Sequence, residues 1–501
     1  MVVERFRDIA QKYSEKNAII YNEHKISYTK LEEITNKIAN GLKNNGIKAG
    51  DRVALMMPNL PHFVFSYYAV LKLGAIVIPI NYMMEDDEFT LVLQRIEPHC
   101  IMYWEGFRSY VDEYLNQVAA KPITIVLGKK NAIDHAELTE LIAISDAIIE
   151  TRSYDSSDTA VIQFTSGVSE LPKGIELSYL NLHSNVESFA KFFHLNGSDV
   201  FGAVLPLFFM FSQNVLMNCA LLHGGTIVLY TKLDYDNIIR SIEEHHITVL
   251  AGSPNLYQSL VSKTQEAISG ASLKYCLSSW QPVAEELEML FGQKFGRPIL
   301  NCYSITEASG VVAANHPSFE RRDNSLGLAL PGVEIQIHNE HGVHLDYNDI
   351  GEIAIQGDTV MKGYWKSPEL TSARIKNGWY YTGDLGTIDS QQNIFLLNKK
   401  ADVIVKSGFP IYTSELEQLI ARHPKVKEVA VFATPHPGHT EDVQACIALK
   451  DGETASAEEI IAFCREYLPV YKCPQSINFF PSLPRTKMGR IFKRKLQEGF
   501  K

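Results

Sequence analysis

The chain has 501 residues, 46% apolar and 21% charged, which is more than one hydrophobic core usually supports and makes two or more domains the expectation. A formal charge of -11, from 47 basic and 58 acidic residues, argues against a nucleic-acid binder and favours small molecules as partners. Seven cysteines, an odd number without CxxC spacing, suit a reduced, cytoplasmic setting better than disulfide or zinc chemistry.

The opening stretch MVVERFRDIAQKYSEK carries charges throughout and has no apolar core of signal-peptide length, which argues against secretion. Residues 27–46, SYTKLEEITNKIANGLKNNG, predict a helix capped by Ser27, with apolar residues three and four apart. RVALMM then reads as a strand. The run FVFSYYAVLKLGAIVIPI (63–80) has about the minimum length to span a membrane, but Lys72, Gly74 and Pro79 interrupt it. It predicts a buried helix leading into IVIPI, a parallel strand covered on both faces, and so no integral membrane span. Further on, helical patterns keep alternating with short apolar runs such as TIVLY, which predicts an α/β fold built in layers.

From about residue 330 the texture changes to short strands and turns, the signature of a β-rich subdomain. The polar break NKKAD (398–402) then precedes about 100 residues with their own helices and strands. The predicted division is an N-terminal domain 1–397, a hinge 398–402 and a small α+β C-terminal domain 403–501. No repeat or heptad reports on oligomeric state, which leaves a homodimer open.

Chemistry is suggested first by FTSGVSELPKGIELS (164–178), which gathers Thr165, Ser166, Gly167, Ser169, Lys173 and Gly174 as a phosphate-wrapping loop would. On its own the stretch serves equally well as a Ser/Gly/Pro turn. Seven further stretches follow it in order: LPLFFMFSQN (205–214), NCYSITEASG (301–310), PGVEIQI (331–337), GEIAIQGDTVMKGYWKSPELT (351–371), GWYYTGDLG (378–386), SGFPIYTSELE (407–417) and LPRTKMGRIFKRKL (483–496).

With these eight stretches the chain, from about residue 5 to 497, resembles the adenylate-forming superfamily of acyl-CoA synthetases, aryl-CoA ligases, luciferases and peptide-synthetase adenylation domains. The resemblance implies that a carboxylate attacks the α-phosphate of ATP and that a thiol then attacks the acyl adenylate. Both steps build negative charge on oxygen, which calls for hydroxyls, backbone N–H groups, a cation and a metal. By the same resemblance, Thr165, Ser166, Gly167, Ser169 and Lys173 form the phosphate loop, Tyr303 stacks on adenine and Thr306 contacts a phosphate. Glu307 is implied as the Mg²⁺ ligand, and Asp384 as the acid that accepts both ribose hydroxyls, a task suited to a carboxylate. Lys399 stands on the nucleotide side. The segment after the hinge is implied to be a mobile lid, with Gly408 and Glu415 brought to the site during the thiol step.

Departures from the family pattern cluster on the chemistry. A second hydroxyl pair and glycine in the phosphate loop become Val168, Ser169 and Glu170, and a carboxylate facing triphosphate repels it by ~1 to 4 kcal/mol at ~4 Å. Arg490 replaces the adenylation lysine with a planar fork. In the acyl pocket, Phe209 replaces a histidine, and Ser279 and Trp280 replace a glycine pair. Ser304 replaces a glycine, Lys399 an arginine and Ala401 a charged hinge residue. The expected function is an ATP-dependent acid–thiol ligase that uses Mg²⁺ and activates a short or medium fatty acid for CoA or the phosphopantetheine of a carrier protein. The alternatives are an inactive relative with a binding or assembly role, and an adenylating enzyme with a different acceptor.

Overall fold

The structure, a computed structural model, describes residues 1–84, 86–128, 136–149, 154–165, 172–264, 268, 272–279, 283–406, 409–436, 439–485 and 491–499. Ser27 caps the helix Tyr28–Asn44 by accepting a hydrogen bond from the Lys30 amide at 3.2 Å, as the sequence predicts. The helix Pro61–Lys72 starts with proline in its first turn, where the missing N–H costs nothing, and buries every residue except His62. It runs into the fully buried strand Ile76–Pro79, which pairs in parallel with Arg52–Met56 and Thr159–Thr165. The 63–80 run is therefore interior structure, and no described helix is long and apolar enough to cross a membrane.

Lys72 ends that helix with its side chain fully buried. Its ammonium reaches Glu32 Oε2 at 2.7 Å, Thr35 Oγ1 at 2.8 Å and Asn36 Oδ1 at 2.6 Å. Burial lowers its pKa to about 8, against the opposing pull of Glu32.

Three sheets carry the first 400 residues. Among the described residues one has eight strands, in the order Gly363–Tyr364, Lys173–Ser178, Thr159–Thr165, Ile76–Pro79, Arg52–Met56, Cys100–Trp104, Ile123–Leu127, Ala136–Glu137. A second has nine and includes Thr226–Leu229, Val200–Ala203, Val249–Gly252, Tyr275–Ser278, Ile299–Ile305 and Gly310–Ala314. Parallel strands dominate the interior of both, with helices between, as the alternating pattern predicts. The third sheet is antiparallel and comprises Glu334–His338, Gly351–Gln356, Ile375–Lys376, Trp379–Ile388 and Ile394–Lys399, which is the β-rich region expected after residue 330.

Packing changes near residue 400. The largest core cluster runs from Val2 to Ile394, whereas two separate clusters draw only on residues 404–496. Between them lies a short 3-10 turn, Lys400–Asp402. The last segment is built on the hairpin Val426–His436/His439–Leu449, extended by a parallel strand Ser476–Phe479 and flanked by helices Thr413–Ala421 and Ala457–Tyr467. All seven cysteines are buried and unpaired as disulfides.

Candidate active site

The ends of the phosphate-loop stretch are fixed by a ladder. Thr159–Thr165 pairs antiparallel with Lys173–Ser178, and the last register pair is Thr165 opposite Lys173. The strand that leaves the loop also pairs with Gly363–Tyr364, and the amide of Trp365 donates to the Gly174 carbonyl at 2.7 Å. Gly174 is glycine for a steric reason, since a Cβ there would stand 2.9 Å from the Trp365 side chain and 3.0 Å from Phe164.

YSITEASG lies at the end of the nine-stranded sheet. The strand Ile299–Ile305 bears Tyr303, which is 6% exposed, and passes directly into the turn Thr306–Ala308, which packs against the strand Lys173–Ser178. Ser309 closes that turn in the left-handed region at φ 62°, a strained position for a residue with a side chain. Hydrogen bonds hold it there: its hydroxyl donates to the Thr359 carbonyl at 2.8 Å, and its carbonyl accepts from Asn214 Nδ2 at 2.6 Å. Asn185 Nδ2 donates to the Val311 carbonyl at 2.8 Å. Behind them Asn218 joins Asn214 at 2.8 Å and accepts from the Tyr68 hydroxyl at 2.9 Å. These asparagines come from helix Tyr179–Phe192 and from the fully buried π-helical segment Ser212–Asn218. Burying amides with no role would cost ~1–3 kcal/mol each, and here they fix the backbone that carries Thr306 and Glu307.

Asp384 and Glu307 are braced by tyrosine hydroxyls. Tyr303 donates to Asp384 Oδ2 at 2.7 Å, and Asp384 is 8% exposed. Burial, reinforced by the Asp384 charge, raises the Tyr303 pKa and keeps its hydroxyl a donor. The Asp384 amide in turn donates to Thr382 Oγ1 at 3.0 Å. Across the ladder Asp384 faces Lys399, whose ammonium lies 3.5 Å from Oδ1 on a side chain 72% exposed. Glu307 accepts from the Tyr364 hydroxyl at 3.1 Å, and its carbonyl accepts from the Met361 amide at 2.8 Å.

Thr165, Lys173, Tyr303, Thr306, Glu307, Asp384 and Lys399 thus come from three sheets and the turn Thr306–Ala308, linked by the Tyr303–Asp384 and Tyr364–Glu307 hydrogen bonds. Phe209 lies half-buried in the turn that precedes the segment Ser212–Asn218, its ring 4.3 Å from that of Phe208, which packs edge-on to Tyr82. Ser279 is 2% exposed at the end of Tyr275–Ser278. Glu415 is paired with Lys472 at 2.9 Å. Ser166, Gly167, Ser169, Glu170, Trp280, Gly408 and Arg490 lie outside the described residues. Sequence reasoning missed Tyr364, Tyr380, Asn185 and Asn214. The signal available was tyrosines inside two of the matching stretches, MKGYW and GWYYTGD; the helix Tyr179–Phe192 is too mixed in polarity for Asn185 to stand out.

The donor set suits a nucleotide and a hard cation. Among the described residues no group of three or more His, Cys, Asp or Glu converges to hold a metal unaided. A single carboxylate beside a hydroxyl, Glu307 next to Thr306, fits Mg²⁺, which takes one or two protein oxygens and fills its shell with phosphate and water.

Comparison with known proteins gives the same picture. A family model described as AMP-binding enzyme matches residues 6–365, and one described as AMP-binding enzyme C-terminal domain matches 415–490. A long-chain-fatty-acid–CoA ligase of Bacillus subtilis is 29% identical, over 98% of this chain and 93% of its own. A crotonobetaine/carnitine–CoA ligase of Proteus mirabilis is 27% identical, over 98% and 97%. Among solved structures, ATP-bound MatB from Rhodopseudomonas palustris superposes with a TM-score of 0.91 at 28% identity, over 100% of this chain and 99% of that one. The apo form of the same protein gives 0.79 at 27% identity, with the same shares of the two chains covered.

Proposed function

This chain belongs to the AMP-binding enzyme family, and we propose that it is an ATP-dependent, AMP-forming ligase that joins a carboxylic acid to CoA. The observation that carries the reading is the pairing of two braced carboxylates, Asp384 and Glu307, with the Tyr303 ring and the Thr165–Lys173 ladder. Asp384 takes the ribose hydroxyls, exchanging the Tyr303 and Lys399 contacts for those of the sugar. Tyr303 offers its ring to adenine, while Thr306 and Thr165 offer hydroxyls to phosphates. Glu307 would hold Mg²⁺ together with ATP, and that ion would supply charge neutralisation at the phosphates. Arg490 supplies the cation between acid and α-phosphate. Its charge suits the role but its fork places that charge less closely than an ammonium, so acyl-AMP formation is the slow half.

The thiol step is assigned to the second face of residues 403–501, which turn as a unit about 398–402 and bring Gly408 into the site. The separate cores on either side of residue 400 support that division. For the acid, a short or medium fatty acid is the proposal. Trp280 adds an indole where the family pattern has glycine, and Phe209, its ring packed against Phe208, adds an aromatic side chain where the pattern has histidine. Relatives named for long-chain fatty acids and for crotonobetaine or carnitine have the CoA ligation in common and differ in the acid. The seven unpaired thiols support work in the cytoplasm.

ATP–pyrophosphate exchange over short, medium, long and aromatic acids tests the first half. Thioester formation from a preformed acyl adenylate tests the second. Exchange with none of these acids, together with no thioester from the adenylate, refutes the ligase and favours an inactive relative, a reading that draws on the substitutions at 209, 279, 280 and 490.

A further inference from the structure

Tyr364, which braces Glu307, and Tyr380, which has no role above, form a second bridge between the two carboxylates. Tyr364 is 6% and Tyr380 3% exposed. The Tyr364 hydroxyl donates to Glu307 Oε1 at 3.1 Å, and Tyr380 hydrogen-bonds to Tyr364. Burial, helped by the Glu307 charge, raises the pKa of both phenols, so each remains a donor. Tyr380 sits four residues before Asp384 on the strand Trp379–Ile388, and Tyr303 sits four before Glu307 at the end of the other sheet. The links therefore close a ring: Glu307 to Tyr364, Tyr364 to Tyr380, along the strand to Asp384, across to Tyr303 and back along the chain to Glu307.

We infer that Tyr364 is the positioning residue for the Glu307 carboxylate and that Tyr380 acts through it, so that the ring sets the reach between the metal end and the ribose end of the nucleotide site. The inference rests on the nucleotide and Mg²⁺ reading given above. A glutamate has three rotatable torsions and, half-exposed here, would lose orientation without a fixed donor. Tyr364 is itself well fixed. It lies on a strand paired with the one that leaves the phosphate loop, Tyr364 opposite Ile175, and its amide donates to Thr371 Oγ1 at 2.9 Å. One side chain thereby ties the phosphate-loop strand, the metal carboxylate and the ribose strand to one another.

The test is ATP binding by calorimetry without acid, titrated against Mg²⁺, for wild type, Tyr364→Phe, Tyr380→Phe, the double variant and Glu307→Gln, with melting midpoints alongside. Tyr364→Phe keeps the ring and loses the donor. The Mg²⁺ concentration for half-maximal ATP binding should rise about tenfold, as loss of a hydrogen bond to a ligating carboxylate typically does, while affinity at saturating Mg²⁺ stays within about threefold. Tyr380→Phe should raise the requirement about threefold, and the double variant should match Tyr364→Phe alone, because the two act in series. An unchanged Mg²⁺ requirement in Tyr364→Phe, or additive effects in the double variant, overturns the inference. Should Tyr364→Phe fail to fold, Tyr380→Phe decides in the same way. If wild type binds no ATP at any Mg²⁺ concentration, the nucleotide reading falls and this inference falls with it. If Glu307→Gln shifts the requirement and Tyr364→Phe does not, only the tyrosine role is lost.

Discussion

Asp384 and Lys72 are both nearly excluded from solvent, and the chain uses the two charges in opposite ways. The Lys72 ammonium is held by Glu32, Thr35 and Asn36 of one neighbouring helix and lies over the Phe6 ring of another, and its pKa is pulled down by burial. Asp384 rests on the Tyr303 phenol and on an ammonium 72% exposed to solvent, partners that the proposed nucleotide would displace. A charge buried among fixed partners serves the fold, whereas one buried among exchangeable partners is prepared for binding. Burying either without partners would cost several kcal/mol, so partners are required in both places and only their permanence differs.

The sharpest way to break this comparison is Asp384→Ala. It removes two charge-assisted hydrogen bonds to ribose, about 1.5–3 kcal/mol each, so ATP affinity measured by calorimetry with Mg²⁺ should fall at least ~100-fold. An affinity equal to wild type would remove Asp384 from the nucleotide site.

The matching test at Lys72 is one of pH. Its folded pKa of about 8 lies below the ordinary 10.5, so between those values the unfolded chain holds the proton more tightly than the folded one. Burial therefore costs stability in full below pH 8, and the cost is relieved as pH rises toward 10.5. Relative to Lys72→Met, wild type should accordingly gain stability by up to about 3 kcal/mol between pH 7 and pH 10.5, read as a pH-dependent difference in melting midpoint. A gap independent of pH would mean that the ammonium is not desolvated in the folded protein. ATP binding should be the same in both proteins.

Arg490→Lys is expected to raise acyl-AMP formation about tenfold in single-turnover assays and to leave thioester formation from preformed adenylate unchanged, since an ammonium fits between acid and α-phosphate where a fork does not. A parallel rise in both halves would place residue 490 in both steps. The smallest effect belongs to Lys399. Its ion pair with Asp384 is exposed, worth roughly 0.2–1 kcal/mol, and is given up to the sugar, so Lys399→Ala should tighten ATP binding only about two- to fivefold, and less still in high salt.

The scaffold was readable because local signals agreed with the global layers. Ser27 capped the helix it was expected to cap, and the interrupted run at 63–80 became a buried helix and a buried strand because Lys72 found internal partners. Candidate site residues could be named where chemistry restricts the residue type, as at Asp384 and Glu307. The braces were not, because a tyrosine that fills a core and a tyrosine that aims a hydroxyl look alike in one dimension. Tyr303 and Tyr364 reveal their roles only when strands 81 and 57 residues away bring carboxylates to them. Asn185 and Asn214 were hidden for the same reason, since their partners are backbone carbonyls of a turn about 100 residues distant.

The pairing of Thr165 with Lys173 has a consequence for redesign. The register of their two strands sets which face each of the side chains takes. Adding or removing one residue inside Lys173–Ser178 turns every following side chain to the opposite face, moving Gly174 off its contact with Trp365. The two strands therefore accept substitution but not insertion.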